Sequence, residues 1–115
     1  MKWFVAKIVW QICIENGKGN VEFDEQWRLI NATSPQDAFV RARNIGKKRE
    51  EKFLNSRGEL VTWKFIDVEE INFINDWSDG VEIKSNTLQA ERANDYISFV
   101  KSKAMLMQNE NALVS

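Results

Sequence analysis

The chain has 115 residues, 43% of them hydrophobic and 29% charged, the proportions of a globular domain rather than a disordered segment. Lys and Arg number 16 against 17 Asp and Glu, a net charge of −1, so no global basic field exists to grip nucleic acid or an anionic membrane. With no His and a single Cys, Ser–His and Cys–His nucleophile pairs and an intrachain disulfide are excluded, and a structural zinc site is disfavoured.

This length predicts one domain, here residues 1–107, with 108–115 as a frayed tail poor in apolar residues. Near the start, Lys7 interrupts the apolar run and no small-residue cleavage site follows, unlike a signal peptide. No stretch approaches the ~18 continuous apolar residues of a membrane span. The expectation is a cytoplasmic protein that contacts neither membrane nor nucleic acid.

Residues 3–15 alternate as a strand, with Phe4, Ala6, Ile8, Trp10, Ile12 and Ile14 on one row. The other row carries Trp3, Val5, Val9 and Cys13 and is only half polar, so a second apolar face needs a cover. The glycines and asparagines of 16–20 predict a hairpin loop. Residues 21–30 predict the second strand. Its apolar row, Val21, Phe23, Trp27 and Leu29, is expected to face the core and to bring Glu25 in with it.

Ser34-Pro35-Gln36-Asp37 is a helix start: a capping hydroxyl, a proline at N1 and an acid at N3. The helix is predicted from about 35 to 54. Ala38, Ala42, Ile45, Arg49 and Phe53 form its inner stripe, and 55–58 provide a turn. A third strand is predicted at about 59–69, with Val61, Trp63 and Phe65 on one face and Ile66 and Val68 on the other. A short fourth follows at 81–84. Asn86 with Gln89 suggests a capping box before a second helix over about 88–107.

The order ββαββα predicts an α+β domain, a four-stranded antiparallel sheet with two helices. Strand order 1-2-3-4 is a meander; order 1-2-4-3, a circular permutation of the ferredoxin-like plan, is favoured because crossovers of this length commonly skip a strand.

Several separated motifs resemble one family. They are Trp3-Phe4-Val5-Ala6-Lys7, the run from Phe23 to Ile30, Ala38 with Ala42 and Ile45-Gly46, Phe53-Leu54-Asn55, the run from Glu59 to Phe65, and the run from Asp79 to Ile83. Together, over about residues 3–87, they resemble the small bacterial proteins of domain of unknown function 4288. The resemblance implies no activity, cofactor or catalytic residue.

Three constellations bear on function. Glu25, on an inward row, is expected to meet Arg49 of the helix in a structural ion pair, since a buried carboxylate is costly alone. Asp24, Asp67, Glu69 and Glu70 are weak candidates for a divalent ion, at a spacing that matches no metal motif. Arg41, Arg43, Lys47, Lys48 and Lys52 spread around the helix among Glu50 and Glu51 and read as a solvated face. No catalytic residue, metal or cofactor is assigned. The expected function is a non-enzymatic interaction or binding module, self-associating as a homodimer or meeting another protein through Trp3, Val5, Val9, Cys13 and Tyr96. The alternatives are a carboxylate- or metal-dependent enzyme and a nucleic-acid-binding module.

Overall fold

The structure, a computed structural model, describes residues 1–15 and 21–109. The predicted loop at 16–20 and the end of the predicted tail, 110–115, lie outside the described residues. Elements run β1 (Lys2–Ile14), β2 (Glu22–Ala32), α1 (Pro35–Lys48), β3 (Glu51–Leu54), β4 (Leu60–Phe73) and α2 (Ala93–Met107). The class and the order ββαββα agree with the sequence reading.

The assignment of two strands differs. Residues 51–54, expected to end the first helix, form β3, and 81–84, expected as a strand, form no regular element. Asn55 organises a turn behind these residues. Its Oδ1 accepts from the backbone N–H of Arg57 and of Glu59, and Gly58 takes φ 76. The 51–54 segment then returns on 60–63 as a hairpin. The second helix also starts later than expected, at Ala93, without a side-chain cap.

The sheet is antiparallel throughout, in the order β2-β1-β4-β3. Neither strand order considered from sequence is observed, the permuted ferredoxin-like plan included. β1, apolar on one row and half apolar on the other, takes a central place beside β4. β2, whose second row is Glu22, Asp24, Gln26 and Arg28, goes to the edge, where polar side chains stay hydrated.

α1 lies on one face of the sheet. Ser34 Oγ accepts from Asp37 N–H at 3.1 Å, and Pro35 opens the first turn, as the sequence predicts. Ala38, Ala42 and Gly46 are its buried residues, and they meet Phe4, Ala6, Ile8 and Trp10 of β1, with Ile30, Ala32 and Val68 completing the core. Two bulges in the β1–β4 pairing leave Ile66 and Glu69 without cross-strand partners. The shift puts Val68 on the same face as Phe65, not the opposite one, because Trp10 pairs with Phe65 and Ile8 with Val68.

Register overturns the expected orientation of β2. Directly paired residues share a face, and Phe4 pairs with Ile30, Ala6 with Arg28, Ile8 with Gln26 and Trp10 with Asp24. The helix side of β2 is thus its even row. Phe23, Glu25, Trp27 and Leu29 lie on the outer face, away from α1; Val21 precedes the strand. Ile30 and Ala32 reach the core; Asp24, Gln26 and Arg28 bond one another at the sheet margin instead.

Residue contacts divide the chain into two units, Met1–Lys84 and Ser85–Ser115, where the sequence reading has a single domain to 107. The second unit carries α2, none of whose residues is buried. Among the described residues no helix is long and apolar enough to cross a membrane.

At Gly46 the backbone of α1 lies directly against the sheet. The Gly46 carbonyl accepts from the buried Trp10 Nε1 at 3.0 Å, and a Cβ there would collide with the Phe65 ring. Gly46→Ala is expected to destabilise the fold by about 1–3 kcal/mol through overpacking. A lowered denaturation midpoint with unchanged slope is the readout.

Candidate interaction surface

The outer face of the sheet is built from the odd row of β1, the odd row of β2 and the bulged middle of β4. Here the register sets Val5 against Leu29, Lys7 against Trp27 and Val9 against Glu25. The chain after β4 returns across this face. Ile74 N–H donates to the Trp3 carbonyl at 2.9 Å, and Trp77 stands edge-on to Trp3 with ring centroids 5.8 Å apart. Lys84 Nζ is 2.7 Å from Glu70 and 5.6 Å from the Trp27 ring centroid.

This return buries Val5 and Ile74, whereas the β2 side stays open. Val21 is 59% exposed, Phe23 58%, Leu29 54% and Trp27 50%. Three large apolar side chains thus stand in one row on an edge strand, with Val21 exposed just before it and Ile66 exposed on β4.

Charges on this face are balanced locally. Lys7 Nζ lies 2.8 Å from Glu69 and 3.4 Å from Glu25, beneath the Trp27 ring at 5.2 Å. The bond to Glu69, then Glu25, raises the Lys7 pKa above its ordinary value. Val9, Phe23, Glu25, Ile66, Asp67, Val68 and Glu69 line an open hollow of about 460 Å³. Arg43 of α1 holds Asp67 through two hydrogen bonds, 2.9 and 2.8 Å, and Val68 N–H donates to it. Chiefly through Arg43, the Asp67 pKa falls from 3.8 to about 2.

The expected Glu25–Arg49 pair does not form. Glu25 is on the face opposite the helix and pairs with Lys7, whereas Arg49 caps α1, binds Glu51 at 2.6 Å and stacks over Trp63 at 4.8 Å. Of the expected interface residues, Trp3 and Val5 lie under or beside the returning segment, Val9 lines the hollow, and Cys13 is exposed further along β1. Tyr96 belongs to the second unit and is exposed. Asp24 accepts from Gln26, Asp67 is held by Arg43 and Glu69 by Lys7. No group of three or more Cys, Asp or Glu among the described residues is placed to hold a metal ion.

The sequence reading put the uncovered apolar row on β1, whereas the structure exposes the row of β2. The signal was present in the half-apolar second row of β1, since a strand paired to it must present its own apolar row to one of two faces.

This arrangement lies within a recognised family region. A family model described as a domain of unknown function, DUF4288, matches residues 3–85. The chain belongs to the DUF4288 family. No curated protein and no solved structure matches it. The DUF4288 match spans every strand of the sheet, α1 and the returning segment through Lys84. It therefore covers the whole outer face.

The Arg43–Asp67 pair has a pH signature. Asp67 is more acidic folded than unfolded, so its contribution is complete above 3.8 and is lost as pH falls through about 2. Arg43→Ala should move the Asp67 titration, followed by carboxyl NMR, upward toward 3.8. Both side chains are exposed, so Asp67→Asn should cost at most about 1 kcal/mol at neutral pH.

Proposed function

We propose that this protein is a non-enzymatic protein-interaction module that associates with itself through the outer face of the sheet. The observation that carries the proposal is the uncovered row of Phe23, Trp27 and Leu29, with the exposed Val21 just before it. A contiguous apolar patch of this kind on a small domain is what protein interfaces use, with aromatic side chains as anchors and charged groups at the rim. Lys7, Glu25 and Glu69 supply such a rim and are already paired, so a partner need not neutralise an isolated charge.

Balanced charge also weighs against single-stranded nucleic acid. Trp27 and Phe23 could stack bases, but Lys7 and Lys84 beside Trp27 are engaged by Glu25, Glu69 and Glu70.

A carboxylate-dependent enzyme is the second reading, favoured by the three acids that line the hollow. Each has a cationic partner, and Asp67, with a pKa of about 2, is fully ionised at neutral pH and cannot serve as a general acid there. Calorimetric titration with magnesium, manganese and calcium is expected to give no binding heat. Saturable heat abolished by Glu69→Gln would favour the enzyme.

The test of self-association is light scattering at high micromolar concentration, where the wild-type chain is expected at twice its monomer mass. Trp27→Ser with Phe23→Ser should return it to monomer mass. Both side chains are half exposed, so monomer unfolding should shift little, by about 0.5 kcal/mol per site. A wild-type monomer at that concentration would overturn the reading.

A further inference from the structure

The face that carries the apolar row ends at a sheet edge, and the backbone of that edge is oriented by the same register. The Trp3 carbonyl accepts from Ile74 N–H, and Glu15 N–H donates to the Leu60 carbonyl, both on the β4 side of β1. Since N–H and C=O of one residue in an antiparallel strand point the same way, the odd residues of β1 face β4 and the even ones face β2. The β1–β2 pairing is unbroken from Lys2 with Ala32 to Ile12 with Glu22 and joins even to even. It follows that the even residues of β2 bond β1. The odd residues, Phe23, Glu25, Trp27 and Leu29 among them, turn their N–H and C=O outward, where no strand among the described residues pairs with them. These same residues carry the exposed apolar side chains.

Resting on the self-association reading, we infer that the occupant of this edge is β2 of a second copy, paired antiparallel across a two-fold axis at Gln26. The two four-stranded sheets then join as one, and the two apolar rows become continuous on its outer face.

Side-chain complementarity selects that register. Only pairings that put odd residues opposite odd residues let the outward groups bond each other. An axis at Glu25 sets two carboxylates directly opposite, an unfavourable like-charge pair. An axis at Trp27 sets Asp24 against Ile30 and Glu25 against Leu29. The axis at Gln26 sets Asp24 against Arg28 of the second copy and Arg28 against its Asp24, two opposite-charge pairs. On the outer face it sets Phe23 against Leu29 and Glu25 against Trp27, each twice.

The even-row side chains are already aligned for this. Gln26 donates to Asp24 at 2.7 Å and accepts from Arg28 at 2.7 and 3.0 Å within one chain. Across the axis the same acceptor and donor groups meet their opposites. A two-fold self-complementary contact of this kind closes at the dimer and does not propagate. It also uses up a long apolar edge that would otherwise template aggregation.

The experiment is a single-cysteine scan in the full chain, with Cys13→Ser as background, combined with charge exchange. Gln26 should lie about 4.5 Å (Cα to Cα) from its own symmetry mate, within disulfide reach. Under mild oxidation Q26C is expected to form a linked dimer, whereas D24C, E25C, W27C and R28C stay unlinked. By light scattering, Arg28→Asp should weaken the dimer at least tenfold, and Asp24→Arg combined with Arg28→Asp should restore it. Preferential linking of E25C or W27C would overturn the register. A wild-type dimer indifferent to the Asp24 and Arg28 exchanges, with Q26C unlinked, would overturn edge pairing while leaving self-association through the outer face intact. A wild-type monomer would overturn both.

Discussion

The contact on which the rest of the structure depends is the seat of α1 on β1 at Gly46. Trp10 is fully buried beneath the helix, and its indole N–H has a single protein acceptor there, the Gly46 carbonyl. That bond requires the helix backbone to come down to ring distance. Ala38, Ala42 and Gly46 permit the descent because their side chains occupy almost no space along the contact line. Held this close, the helix packs on β1 and β4 and on the far end of β2.

Two consequences follow for β2. Its far end, Ile30 and Ala32, lies under the start of the helix and is buried, whereas its middle lies at the margin. At the margin a polar row is stable, so Asp24, Gln26 and Arg28 take the helix side and satisfy one another. The apolar row is then left on the outer face, where the segment through Trp77 and Lys84 covers only the part nearest β1. The uncovered row and the unpaired backbone edge thus lie on the same residues of β2. Lys7 belongs to the same account. In a row of hydrophobes it is tolerated because Glu69, freed by a bulge, and Glu25, carried out by β2, both reach it.

Much of the fold was legible in the chain. The alternation of β1, the Ser34-Pro35 helix start, the buried Ala38 and Ala42 and the turn at 55–58 all follow from short-range pattern and capping chemistry. The 51–54 strand was not legible, since Glu51-Lys52-Phe53-Leu54 continues a helical pattern as well as it begins a strand, and its pairing with 60–63 decided between them. The candidate site was legible in half. That β1 presents two apolar rows, and that its second row needs a partner, was readable from Trp3, Val5 and Val9. That the exposed part of the surface is Phe23, Trp27 and Leu29 was not, because alternation shows that a strand has an apolar face and leaves open which side of the sheet that face joins.

The sequence by itself determined the class of the protein, the identity of its principal strand and helix, and the absence of histidine chemistry and of an intrachain disulfide. These depend on local periodicity, capping and composition, which act within a few residues. Tertiary structure alone decided the strand order, the side on which the β2 row lies, and the partners of Glu25 and Arg49. These depend on cross-strand register and on which row of β1 the helix covers, here the unbroken apolar row rather than the half-polar one. The small side chains of α1 fit over Phe4, Ala6, Ile8 and Trp10, and that fit turned Phe23, Trp27 and Leu29 outward.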